Sequence, residues 1–130
     1  MNEDTTAVFQ RAFWRKPGAG DRILHAERVE WSDPADGVAK WQWFMVMEPG
    51  QELENWLRQQ NPFSLQKAAR YAAEEDSKNA RRPAWFPATA GGADCEILRT
   101  GRMTLIFNTA ERRLYATDSG YGLRPGVAVR

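Results

Sequence analysis

Near the start of the chain, apolar residues recur at helical spacing. Val8, Phe9, Ala12 and Phe13 in DTTAVFQRAFW fall on one face of a predicted helix over residues 4–14, with Asp4 or Thr5 placed to cap it. Lys16-Pro17-Gly18-Ala19-Gly20-Asp21 ends this helix, because proline and glycine break periodic structure. From Ile23 the period falls to two, and alternation puts Ile23, His25, Glu27, Val29 and Trp31 on one face of a first strand. The loop Ser32-Asp33-Pro34-Ala35-Asp36-Gly37 carries the Asp-Pro and Asp-Gly pairs of a turn, so residues 23–47 form a hairpin. Its second strand holds Trp41, Trp43, Met45 and Met47 on one face and Gln42, Phe44 and Val46 on the other. A strand that is apolar on both faces is central, or covered on both sides. His25 and Glu27 are expected on the side that also holds Val29, Trp31, Trp43 and Met45.

Glu48-Pro49-Gly50 stops the hairpin, and Gln51–Gln60 again has helical spacing, with Leu53, Trp56 and Leu57 inward. Asn61-Pro62 ends that helix, since the residue before proline avoids the α region. A weaker stripe of Leu65, Ala68, Ala69 and Ala72 predicts another helix over residues 65–80, polar all round in its second half. Pro83-Ala84-Trp85-Phe86-Pro87 is an extended linker anchored by its two aromatics. Three short strands follow at Cys95–Thr100, Met103–Asn108 and Arg113–Thr117, with a tight turn at Thr100-Gly101-Arg102. Thr117-Asp118-Ser119-Gly120-Tyr121-Gly122 reads as the turn cluster after the last strand.

This order of elements predicts an α+β fold in one domain over residues 1–130. An antiparallel sheet of about five strands, the hairpin plus a three-strand meander, carries two or three helices on one face. The length suffices for a core without disulfide or metal staples, and a composition 42% hydrophobic and 27% charged is that of a globular chain.

Charge and motif content remove several functions. Eighteen basic against seventeen acidic residues leave a net charge of +1, which is no footprint for nucleic acid. No apolar run approaches the roughly 18 residues of a membrane span. The acidic, polar start MNEDTTAVFQ differs from a signal peptide and predicts a cytoplasmic protein, or an exported one given without its leader. Cys95 is the sole cysteine and His25 the sole histidine, so one chain can build neither a thiolate cluster nor a multi-histidine site. Nucleotide-binding glycine fingerprints, a P-loop and a nucleophile elbow are absent, and Asp33, Asp36 and Gly37 lack the spacing and closing glutamate of a calcium loop. No cofactor and no metal is therefore expected.

Two sets of residues are left as candidates. His25 and Glu27, two apart on a strand, form the best polar pair for general acid–base chemistry, with Asp118 as a third member. Cys95 could use His25 as base, but no cysteine-hydrolase pattern flanks it, and at the start of a strand it reads as a small buried hydrophobe. Trp31, Trp41 and Trp43 could form a stacking platform for sugar rings, bases or a partner's side chains, in competition with the needs of the core, and Tyr121 is a further binding candidate in a 117–122 loop that could line a ligand pocket. Arg99, Arg102, Arg112 and Arg113 around the meander read as a solvated face. The leading expectation is a small non-catalytic domain that binds a protein partner or modest ligand through the 23–47 hairpin and adjoining loops. The alternatives are an enzyme that uses His25 and Glu27 for hydrolysis or proton transfer, and a structural subunit, for instance a homodimer, that pairs through an open sheet edge.

Overall fold

The computed structural model describes residues 5–32, 39–72, 82–87, 89–101 and 103–122; the side chains of Trp31, Ser32, Ala72 and Tyr121 are outside that description. In chain order the elements are α1 (Thr5–Phe13), β1 (Arg22–Ser32), β2 (Ala39–Glu48), α2 (Gln51–Asn55) with a π-helical turn (Trp56–Gln60), β3 (Gln66–Ala68), β4 (Arg70–Ala72), β5 (Thr89–Gly91), β6 (Cys95–Thr100), β7 (Met103–Asn108) and β8 (Arg113–Gly122). The fold is α+β. Six strands form one sheet in the order β1-β2-β8-β7-β6-β3, every neighbouring pair antiparallel, and β4 and β5 form a small second sheet. Hairpin and meander are joined through β2 and β8.

The sheet has a helix face and a ribbon face, both covered. On the helix face, Val8, Phe9, Ala12 and Phe13 of α1, together with Leu53 and Leu57, pack on Trp43, Met45, Met47, Leu105 and Ala116. The four α1 residues are those at helical spacing in the sequence. On the ribbon face, Phe44, Ile97 and Ile106 meet Tyr71 and Phe86, with Trp85 and Tyr115 packed around them. Residues Gln42 to Met47 of β2 are all buried, as a strand apolar on both faces requires. The β6–β7 turn is a two-residue hairpin between the paired Thr100 and Met103, and Gly101 supplies the left-handed φ of 55° that such a turn favours.

Three local expectations are corrected. The helix over residues 65–80 is, in its described part, the two strands β3 and β4; residues 73–80 lie outside the described set. Leu65 is buried in the helix-face core and Tyr71 in the ribbon-face core. The chain thus rounds the β3 edge and feeds both layers, which one rigid helix cannot do. Asp118–Gly122 is not a turn cluster but the end of β8, paired with Ala39–Trp43. Left without this pairing, the first half of β2 would lack partners for its backbone groups along that edge. The buried Gln42 and Thr117 fix the register, with Gln42 Nε2 donating to Thr117 Oγ1 and Thr117 Oγ1 to the Trp43 carbonyl, both at 2.9 Å.

The third correction concerns which residues share a face. The β1–β2 register shifts between Ile23, opposite Met47, and His25, opposite Val46, so Leu24 is the extra residue of a β-bulge. A slip of one residue exchanges the two faces of a strand. Ile23 therefore stays with the helix-face core, whereas His25 and Glu27 lie on the Phe44 and Val46 side, away from Trp41 and Trp43. Residues 33–38, the tip of the hairpin, are outside the described residues.

Candidate functional site

Of the acid–base candidates, His25 and Glu27 share one face of the sheet and Asp118 lies on the other. His25 is exposed, its ring stacked on Trp85 at 5.2 Å between centroids and 18° between planes. Glu27 is half-buried on the same face. Asp118 stands in register with Trp43, on the opposite face of the sheet. Cys95 is half-buried on β6, four strand positions from β1, which places it about 19 Å from His25. Among the hairpin tryptophans, Trp43 is 3% exposed and fills the helix-face core. Trp41 is half-buried against that core, with the Arg28 guanidinium 5.7 Å from its ring centroid and Arg28 paired with Glu30. The side chains of Trp31 and Tyr121 lie outside the described set.

Two surface clefts are lined by described residues. The larger, about 670 Å³, lies between α2, its π-helical turn and the β7–β8 turn. Its charges are largely committed to one another. Arg58 pairs with Glu54 at 3.2 Å and with Glu96, and its guanidinium covers the Phe107 ring at 4.2 Å. Glu111 accepts the Tyr115 hydroxyl at 3.0 Å. This wall is held by its own ion pairs.

The smaller cleft, about 460 Å³, opens between the end of α1, the 62–64 loop and the hairpin end of the sheet. One wall is aromatic, with Trp14 and Phe63 in edge contact at 5.7 Å and 76°. Phe63 also meets Trp56 at 5.7 Å, and Trp56 lies under the guanidinium of Arg15, which is paired with Glu52. The other wall is polar, formed by Thr100, Asp118 and Ser119, with Arg11 reaching in from α1.

Local sequence builds the aromatic wall. Trp14 follows the last residue of α1 and donates its N–H to the Gln10 carbonyl at 2.8 Å, with φ 56°. This is the left-handed position that closes a helix and usually holds glycine. On the other side, Asn61 at φ 48° ends the π-helical turn. Its side chain accepts the Leu65 N–H at 2.7 Å and donates to the Leu65 carbonyl at 3.0 Å, which closes the loop that presents Phe63. Ser64, also lining the cleft, has φ 56°. Trp14, Asn61 and Ser64 thus bring three left-handed non-glycine residues to this corner. Sequence reasoning passed over Trp14 because the amphipathic stripe of α1 accounts only for inward residues. The available signal was a large aromatic just after that stripe, next to Arg15-Lys16-Pro17.

The chain matches no family model, and neither a curated protein nor a solved structure is significantly similar to it. Among the described residues no group of three or more histidine, cysteine, aspartate or glutamate side chains could hold a metal ion, and no helix is long and apolar enough to cross a membrane.

Proposed function

We propose that the protein is a non-catalytic binding domain and that its contact surface is the cleft beside Trp14. Trp14 carries this reading. Its backbone sits where a residue with a Cβ is disfavoured, and its indole is 83% exposed. An exposed indole on a disfavoured backbone suits a side chain held ready for something that covers it. The hairpin enters this surface indirectly. Asp118 and Ser119 belong to the pairing of β8 with β2, in which Asp118 stands opposite Trp43, itself buried in the helix-face core. The proton-transfer alternative has no comparable support, since His25 stands exposed on Trp85 and Asp118 lies across the sheet.

The test is a pool of small aromatic and polyol fragments, followed by the indole N–H resonances of 15N-labelled protein. The Trp14 resonance is identified from the Trp14→Gly variant. Fragments are expected to shift that resonance selectively and to lose this effect in the variant. Relief of the left-handed backbone should leave Trp14→Gly as stable as the parent, or more stable by up to about 1 kcal/mol. Fragments that ignore Trp14, or a variant destabilised by more than about 2 kcal/mol, would make Trp14 a structural residue and overturn the reading.

A further inference from the structure

The lining of the Trp14 cleft narrows what can fill it. We infer that its ligand is a neutral carbohydrate, a pyranose ring laid on the aromatic wall with its hydroxyls turned to the polar one; this rests on the binding reading above. The aromatic wall offers an exposed indole beside Phe63, a surface that suits the C–H face of a sugar ring. The polar wall carries the carboxylate of Asp118, the guanidinium of Arg11 and the hydroxyl of Thr100, while Ser119, in register with Gln42, turns its side chain to the ribbon face.

These groups set the charge of the occupant. Asp118 attracts a cation that Arg11 repels, and the reverse holds for an anion, so these two groups together favour neither sign of charge. A purely apolar ligand strips water from these polar groups and returns no hydrogen bond, which leaves their donors and acceptors unmade. Sugar hydroxyls both donate and accept. They match an acceptor-only carboxylate, a donor-only guanidinium and a threonine hydroxyl that does either. Asp118 already accepts the Ser119 N–H at 2.8 Å and is engaged elsewhere within the protein. A nucleotide would bring phosphate to Asp118, with Arg11 the sole cation among the described residues that line the cleft. At about 460 Å³ the cleft is within the size range of small-ligand sites.

A glycan array of neutral, sialylated and sulfated oligosaccharides tests this, with the strongest hit then titrated into 15N-labelled protein. Binding should be confined to neutral glycans and should shift the Trp14 indole resonance. Trp14→Gly and Arg11→Ala should each weaken it, the first by at least about tenfold. Arg11 is exposed on α1, so its variant keeps the fold and separates recognition from stability. Hits restricted to charged glycans, or no glycan hit, overturn the inference. If free amino acids or nucleosides shift Trp14 where sugars do not, the carbohydrate class falls and the binding reading survives. If Trp14 is silent toward every probe, both fall.

Discussion

Tyr115 is half-buried on β8 beside the ribbon-face core and donates its hydroxyl to Glu111 at 3.0 Å. Its pKa lies above the ordinary 10.0, first because burial disfavours the phenolate; a hydrogen bond from Arg113 opposes this, and Glu111 adds to the rise. The folded state therefore holds the phenolic proton more tightly than the unfolded chain. That stabilisation is complete below pH 10 and is lost as pH rises through the raised folded value. Urea midpoints between pH 8 and 11 should fall more steeply above pH 10 for the parent than for Tyr115→Phe, and parallel profiles would contradict the assignment. Leu24 and Trp14 show where reading single residues from sequence stops. Strand alternation has no mark for the bulge at Leu24, so it placed His25 and Glu27 on the wrong face. Helical periodicity is silent on Trp14, whose character comes from a left-handed φ just past the end of a helix.

Between α1 and β1, Asp21 ties two elements together. Its carboxylate accepts the Gly18 N–H and the Gly50 N–H, both at 2.7 Å, which fixes the first loop to the start of α2. The approach is close: a Cβ at Gly50 would fall 3.0 Å from the Gly20 backbone. Two hydrogen bonds to a charged acceptor predict that Asp21→Ala destabilises the fold by about 2–4 kcal/mol, measured by urea denaturation. A loss under about 0.5 kcal/mol would mean that the loop is held by other contacts. At this scale much was legible. The residues of α1 that face the core, the bounds of β6 and β7, and the helical start at Gln51 follow from local period and turn residues. The misses share one cause. Gln66–Ala68 and Asp118–Gly122 have helix-like or turn-like local sequence, and they are strands because β6 and β2 supply partners from far along the chain. Phe63, Asp118 and Arg11 meet through such pairings and loops, so the cleft has no contiguous motif.

The whole molecule depends on the seam between β2 and β8. Each side of it is built locally, by the β1–β2 hairpin and the β6–β7–β8 meander, and each presents an apolar stripe to both layers. Joining them brings residues such as Gln42 and Thr117, 75 positions apart, into hydrogen-bond contact. A sheet with so distant a pairing is expected to refold in milliseconds to seconds, followed by stopped-flow tryptophan fluorescence; completion within about 100 µs would show that the seam does not limit folding. The outer strand β1 is blunted by a bulge at Leu24 and by Arg22, Glu27, Arg28 and Glu30, devices that discourage pairing with other chains. β2 has no such protection before β8 arrives. On a ribosome adding about 5–20 residues per second, the 75 positions between Gln42 and Thr117 take roughly 4–15 s to make. Through that interval the nascent hairpin offers one open edge along six consecutive residues, Gln42–Met47, that are all buried in the finished fold. The pairing that completes the sheet is thus also the one whose delay leaves an apolar edge open in the half-made chain.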